Sequence, residues 1–158
     1  MTVQTFNIYT ANGYEGDLVD SGPRVVQTGI LTSASAGFGK AMNRDASVDR
    51  GVALGGAANV FAISQREYNH EAGTRPSTGD DTTYLITESV SLIRQGYLYI
   101  KLTGATAITA GEVLHVDTVT GLFTKVAVAG NVVACLNVVA EEAGISGDVI
   151  KARIDIVV

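Results

Sequence analysis

Residues 97–102 constrain the fold more than any other stretch, because Tyr or Lys side chains alternate strictly with Leu or Ile side chains. The segment reads Tyr-Leu-Tyr-Ile-Lys-Leu, which is the period of two expected of a β-strand. Residues 148–157 repeat the pattern, with Ile150, Ala152 and Ile154 separated by charged side chains. No stretch has a convincing helical period of 3.6 residues. The sequence therefore predicts a mostly β protein, an antiparallel barrel or sandwich whose sheet has one wet face.

A second strand signal is a predicted β-hairpin over residues 110–125. Two short apolar runs, 113–116 and 122–126, flank a turn that contains Asp117 and Gly121. Both residue types are favoured in tight turns. Further strands are predicted over 25–32, 39–42, 52–54, 59–64, 82–92, 131–139 and 148–157. A break is predicted at Gln95-Gly96, ahead of the alternating segment.

A weak internal repeat emerges when the sequence is shifted by 74 residues. Ala36-Gly37 then lies over Ala110-Gly111, and residues 52–54 lie over residues 126–128. Both copies read as Ala-Gly, a short strand, a polar turn, an apolar strand, Gly and another apolar strand. Either the two halves share one structure, or this order of strands and turns is simply common to small β units.

The chain length and composition predict one β domain preceded by an extended segment. A chain of 158 residues, 46% of them hydrophobic, is long enough to bury one sizeable core. We expect residues 23–158 to form the barrel-like domain and residues 1–22 to form an N-terminal arm. The arm carries five large apolar or aromatic side chains among polar residues and turn residues: Val3, Phe6, Ile8, Tyr9 and Tyr14. It is either a frayed first strand or a segment that packs on another subunit.

Charge and hydropathy exclude several classes of function. Only 17% of the residues are charged and the net charge is -5, which argues against binding to nucleic acid. The chain has no 18-residue apolar run, so we expect no membrane span. Its first residues lack the pattern of a signal peptide, so we expect synthesis in the cytoplasm without export. A weakly charged surface of this kind often lies against a partner.

Motifs for catalysis or cofactor binding are incomplete. Gly37-Phe38-Gly39-Lys40 departs from a phosphate loop, which needs Ser or Thr where Ala41 stands. Cys135 lies in an apolar run and is expected to be a buried, unreactive thiol. His70 and Glu71 have no third ligand at metal-site spacing. We therefore predict no enzymatic activity, no cofactor and no metal.

The longest polar stretch is the most plausible contact loop. Residues 65–81 hold Arg66, Tyr68 and His70 together with Gly and Pro, and long polar loops in compact domains are usually functional. We predict an interface made by these three residues and the large side chains of the arm.

Three segments carry a resemblance to a known family. They are Ala36–Ala41, Gly51–Gly56 leading into Val60–Ser64, and Ala110–Leu114, followed by the closing pattern Ala143–Val149 and an alternating last strand. In these features residues 24–158 resemble the capsid decoration, or cement, proteins of tailed bacteriophages. The resemblance implies a non-enzymatic, barrel-like homotrimer on the outer surface of the virion. It would bind the major capsid protein, clamp neighbouring coat subunits and so stabilise the shell.

A competing interpretation is a carbohydrate- or host-surface-binding β-sandwich module on the virion. Exposed Tyr14, Tyr68, Tyr97 and Tyr99 would then form sugar platforms. The chain has no Trp, which counts against this interpretation.

Overall fold

The fold is built from strands. A computed structural model describes residues 13–19, 22–33, 35–67, 83–126 and 130–156, and within these ranges it contains no helix. Its strands are β1 Val25–Leu31, β2 Ala36–Gly37, β3 Ala41–Asp45, β4 Gly51–Leu54, β5 Ala62–Ser64, β6 Thr83–Tyr84, β7 Ser89–Lys101, β8 Val113–Asp117, β9 Phe123–Thr124, β10 Val132–Ala140 and β11 Val149–Ile154. The predicted mostly β fold, an antiparallel barrel or sandwich, is confirmed.

The first half of the chain closes into a small barrel. β1 pairs with β4, β4 with β3, β3 with β5, β5 with β7 and β7 again with β1. The β1–β4 pair is parallel and the other four are antiparallel. Leu31, Met42, Val52 and Leu92 fill the interior with other buried apolar side chains. Closure pairs the strands on both sides and leaves few free edges.

The second half closes in the same manner. β7 pairs with β11, β11 with β10, β10 with β8 and β8 with β9, all antiparallel. Leu102, directly after β7, makes a parallel bridge with Phe123 of β9 and completes the circuit. The core contains Leu98, Ile100, Leu114, Phe123 and Ile150, each no more than 2% exposed.

Strand β7 belongs to both barrels. Gln95 lies opposite Val25 in the first barrel, and Gly96 lies opposite Ile154 in the second. Gly96 has a φ of +132°, which only glycine adopts readily. The predicted break at Gln95-Gly96 is therefore wrong. The glycine turns the strand from one barrel into the other without interrupting it.

The buried side chain of Asn137 joins the two barrels. Its Oδ1 accepts a hydrogen bond from the Val60 N–H at 3.0 Å, and its Nδ2 donates to the Val60 carbonyl at 2.8 Å. The same Nδ2 donates to the Asp155 carbonyl at 3.0 Å. Close by, Gly56 lies against Val116, where an added Cβ would come within 2.4 Å of the valine methyl groups. The joint is therefore both hydrogen-bonded and tightly packed.

The two halves share one order of strand pairing. The first runs β4-β3-β5-β7 and the second runs β9-β8-β10-β11, so that the sheet is symmetric about the β7–β11 pair. Each half contains a hairpin, β3–β4 in the first and β8–β9 in the second. The first strand of each hairpin also pairs with a later strand, β3 with β5 and β8 with β10. This common topology supports the weak repeat in the sequence.

The hairpin predicted over residues 110–125 is formed by β8 and β9. Asp117 closes its turn, since its Oδ1 accepts hydrogen bonds from the backbone N–H groups of Val119 and Thr120, both at 2.8 Å. These bonds favour the ionised form. The Thr120 hydrogen bond is the largest cause, and the pKa of the Asp117 carboxyl lies below its ordinary value of 3.8.

The Asn137 joint predicts a large effect of truncation. Asn137→Ala leaves the Val60 N–H and the Val60 and Asp155 carbonyls without their side-chain partner in a buried place. An unsatisfied buried group costs about 1–3 kcal/mol, so we expect a loss of about 3 kcal/mol in the free energy of unfolding, measured by urea titration. The control Asn131→Ala, at an exposed position, should change it by less than about 0.5 kcal/mol. Equal effects of the two substitutions would contradict the role of the joint.

The Asp117 turn predicts a dependence on pH. At pH 7, Asp117→Ala should lower the free energy of unfolding by about 1 kcal/mol. Because the pKa of Asp117 is lowered in the folded state, its contribution to the free energy of unfolding is present above about pH 3.8. That contribution is lost as the pH falls through the folded-state pKa. The difference between wild type and variant should therefore shrink between pH 5 and about pH 3. Asp49→Ala, in the β3–β4 turn, is the control and should have little effect at pH 7. A difference that stays constant with pH would overturn the assignment.

Candidate functional site

Residues 13–19 are attached to the second barrel along β7. The Gly16 N–H donates to the Tyr99 carbonyl at 2.7 Å, and the Tyr99 N–H donates to the Asp17 carbonyl at 2.9 Å. The Val19 N–H donates to the Tyr97 carbonyl at 3.0 Å. The segment thus runs beside β7 like a further antiparallel strand, with a bridge between Leu18 and Leu98. This part of the predicted arm is held by the barrel, and the chain leading to it, residues 1–12, lies outside the described residues.

The start of the long polar stretch meets the attached segment. The Arg66 N–H donates to the Gly16 carbonyl at 2.9 Å. Gly16 has a φ of +84°, and an added Cβ would lie 2.8 Å from Phe38 Cβ and 2.9 Å from Arg66 N. Glycine is therefore required where these three segments cross.

The side chains around this crossing form what we call the root cluster. Its members are Tyr14, Glu15, Asp17, Phe38, Lys40 and Arg66. The Arg66 guanidinium lies over the Tyr14 ring at 4.5 Å and over the Phe38 ring at 5.6 Å. Its Nε is 3.9 Å from Asp17 Oδ1, and Lys40 forms an ion pair with Glu15. Cation–π contact with the two rings and the ion pair with Asp17 together hold the Arg66 guanidinium in place.

The structure brings together two of the predicted interface residues, Tyr14 and Arg66. Tyr14 is 67% exposed and the Arg66 side chain is 16% exposed, so the pair presents an aromatic ring to solvent with a guanidinium packed against it. Aromatic residues and Arg are enriched in protein interfaces. The other predicted interface residues lie outside the described part of the chain: Val3, Phe6, Ile8, Tyr9, Tyr68 and His70. Their place in the interface stays a prediction.

The described residues give little support to a reactive thiol, a phosphate loop or a metal site, the three kinds of site considered in the sequence. Cys135 is fully buried, and burial raises the pKa of its thiol to about 11. The Lys40 ammonium is engaged by Glu15, so the Gly37–Lys40 turn does not offer it to a phosphate. Within the described ranges, no group of three or more His, Cys, Asp or Glu side chains is placed to hold a metal ion. The same ranges include no helix long and apolar enough to cross a membrane.

The tyrosines proposed as a sugar platform are partly covered. Gly13 lies so close to the Tyr99 ring that an added Cβ would be 2.3 Å from it. The Lys151 ammonium lies 4.9 Å over the Tyr97 ring. Both tyrosines are half-buried, unlike the open stacking surface that sugar binding would use. The second interpretation therefore loses two of its four proposed platforms.

A second polar site, which the sequence did not suggest, lies on the first barrel. We call it the arginine cluster: Arg44, Arg50 and Arg94 around Phe61. The Arg94 and Arg44 guanidiniums lie 4.5 Å and 6.0 Å from the Phe61 ring centre. Fifty residues separate Arg44 from Arg94, so strand pairing alone brings them together. No local motif marks such a set.

What the described residues assemble is therefore a pair of surfaces rich in arginine and aromatic rings on a rigid double barrel, the composition of a protein-binding surface. A family of phage proteins described as "Structural cement protein (E217 gp24/Pam3 gp6)" matches residues 3–155. Since the match spans almost the whole sequence, the chain belongs to this family of structural cement proteins. The predicted identity as a capsid decoration protein that stabilises the shell is confirmed at this level. A comparison with curated proteins found no match.

A solved phage structure shares the fold. A chain of the structure titled "The capsid of Myoviridae Phage XM1" has a TM-score of 0.69 and 13% identity, covering 96% of this chain and 95% of the other. A lower TM-score of 0.43, at 12% identity, relates the protein to "The crystal structure of head fiber gp8.5 N base in bacteriophage phi29", covering 84% and 95%. The first similarity shows that this double-barrel fold occurs in a phage capsid structure.

Proposed function

We propose that the protein binds the outer surface of the assembled capsid and bridges neighbouring subunits of the major capsid protein. The observation that carries this proposal is the match to the cement family over residues 3–155. We further propose that the protein acts without catalysis, cofactor or nucleic acid, after synthesis in the host cytoplasm. Its net charge of -5 supports the absence of nucleic-acid binding.

The fold supports a clamping role through stiffness. Two closed barrels sharing β7 and joined through Asn137 form a body that resists deformation when its two ends are pulled apart. Binding at two points on adjacent coat subunits then makes the second contact intramolecular, so modest contacts add up to strong retention. Because the protein binds the assembled shell and not the separated subunits, it shifts the equilibrium towards the intact capsid by mass action.

We propose a homotrimer as the bound form. Three copies in closed cyclic symmetry match a three-fold position of a capsid lattice. Closed barrels offer few free strand edges, so the subunits would meet through side chains and through the N-terminal arm. Exposed apolar side chains on the described surface suit such contacts, for example Ile86, Val119, Leu136 and Ile145, each more than half exposed.

The root cluster is the proposed anchor of the arm. Residues 13–19 are fixed to β7, so residues 1–12 start from a defined point beside the exposed Tyr14. Phe6 and Ile8 share one face if that segment is extended, and burying each is worth roughly 1.5–3 kcal/mol. We propose that they dock, with Val3 and Tyr9, on a neighbouring cement or coat subunit. Tyr68 and His70 belong to the same proposed interface.

Binding to the capsid is the direct test. Purified protein mixed with capsids that lack it should co-sediment, saturate at a fixed number of copies and raise the temperature at which the shell disrupts. Light scattering of the free protein and image reconstruction of decorated capsids give the number of subunits in each bound unit. A glycan array serves as the contrast. Specific glycan binding without co-sedimentation would replace the proposal with the carbohydrate-binding alternative, and monomeric density on the particle would overturn the trimer.

Deleting residues 2–12 tests the arm. The strand pairings described for the two barrels lie within residues 13–156, so we expect the thermal midpoint to change little while trimer or capsid association weakens at least tenfold, about the contribution of one buried apolar anchor. The matched variant Phe6→Ser/Ile8→Ser should reproduce the weakening with the backbone intact. A deletion that unfolds the domain would show instead that the segment is part of its core.

A further inference from the structure

Three arginines converge on one side of the first barrel. Arg44 lies on β3, Arg50 directly precedes β4, and Arg94 lies on β7. Arg44 and Arg50 line one concavity with Phe61, and Arg44 and Arg94 line an adjoining one with the same ring. The arginine cluster is therefore one continuous surface around a single phenylalanine.

Phe61 holds two of the guanidiniums in place. Arg94 lies 4.5 Å and Arg44 6.0 Å from the ring centre, and Arg94 Nη1 also lies 3.4 Å from Gln27 Oε1. The Arg94 Nε is buried and has no hydrogen-bond partner. Stacking on a ring fixes the plane of a guanidinium and leaves its edge free to donate. Apart from Gln27 Oε1, the described residues supply no hydrogen-bond acceptor to the Arg94 guanidinium.

No carboxylate neutralises the cluster within the described part of the chain. The ion pairs found there use Lys40, Arg66, Lys125 and Arg153 as cations. The chain holds 16 acidic residues against 11 basic ones, so acids are not scarce. Holding several like charges close together is unfavourable unless an anion joins them. The missing partner therefore points to a ligand from outside the molecule.

The adjoining concavity suits a carboxylate side chain. It has a volume of about 320 Å³ and is lined by Asn43, Arg44, Asn59, Val60, Phe61 and Arg94. Amide groups next to guanidiniums supply further hydrogen bonds, and an arginine fork matches the two oxygens of a carboxylate. The site is open and small, in keeping with one or two acidic side chains on a projecting loop.

We propose that the arginine cluster is a contact site for the coat protein and receives Asp or Glu side chains from one of its surface loops. This inference rests on the proposed capsid binding and names the chemistry of one contact. The arginine cluster would be a second attachment point, electrostatic in character, in addition to the arm and the root cluster. Charge complementarity of this type would fix the register of the protein on the shell as well as its affinity.

A second copy of the chain is a poorer occupant, because most of the carboxylates in its described residues are engaged. Among the described acidic residues, all except Asp49 already have a hydrogen-bond, ion-pair or other contact partner within the molecule. Asp45 accepts from Thr32 and Ser47, Glu112 pairs with Lys125, and Glu141 pairs with Arg153. Breaking such contacts would oppose self-association through the cluster.

The test compares variants that keep size but remove charge. Arg44→Gln/Arg94→Gln should bind capsids that lack the protein about 10- to 100-fold more weakly than wild type. Its binding should also depend less on salt between low and physiological ionic strength. Arg44→Lys/Arg94→Lys keeps the charge without the fork and should fall between the two. Arg24→Gln/Lys101→Gln removes two exposed cations elsewhere and should bind like wild type.

Several outcomes separate this inference from the proposed function. If wild type fails to bind capsids, both are overturned. If wild type and the double glutamine variant bind alike, only the arginine site is wrong. Loss of the trimer by light scattering, with capsid binding per copy unchanged, would assign the cluster to a second copy. Retention of wild type on a single-stranded oligonucleotide, abolished in the variant, would assign the cluster to nucleic acid.

Arg44→Gln alone, at an exposed position, guards against misfolding and should still weaken capsid binding about threefold or more.

Discussion

The shared strand β7 is the constraint on which the rest of the structure depends. Its first part closes one barrel against β1 and β5, and its second part closes the other against β11. Gly96 lets one continuous backbone serve both, because its φ of +132° redirects the strand without ending its hydrogen bonds. Every other strand of the nine-stranded sheet either pairs with β7 or is linked to it through a series of paired strands.

The same strand also positions the surfaces proposed for binding. Residues 13–19 run beside Tyr97 and Tyr99, which places the root cluster on one side of the molecule. Arg94, three residues before Tyr97, contributes to the arginine cluster on the first barrel. A cement protein needs contacts at separated points held at fixed distance, and a single rigid strand relating both surfaces meets that need.

Sequence reasoning succeeded where the determinants are local. The alternation over 97–102 and the Asp117 turn depend on neighbouring residues, so the second part of β7, which ends at Lys101, and the β8–β9 hairpin follow from the sequence. It failed at Gln95-Gly96, because glycine marks both the end of a strand and a bend within one, and only the tertiary partners decide between them. The arginine cluster was missed for a related reason. Its members come from three strands or turns, and their meeting depends on register across a closed barrel.

The order of strands along the chain also sets an order of folding. All strands of the first barrel lie within residues 25–95, whereas β11, which covers the second part of β7, begins at Val149. During synthesis the first barrel can close while the partner of residues 96–101 is still unmade. For that interval the nascent chain carries an open strand edge bearing Leu98 and Ile100, the kind of edge that invites pairing with other chains. Residues 13–19, already synthesised, bond to the backbone of Tyr97 and Tyr99 on the opposite edge of this stretch in the finished protein, so they can cover that edge and leave one open edge for the last strand.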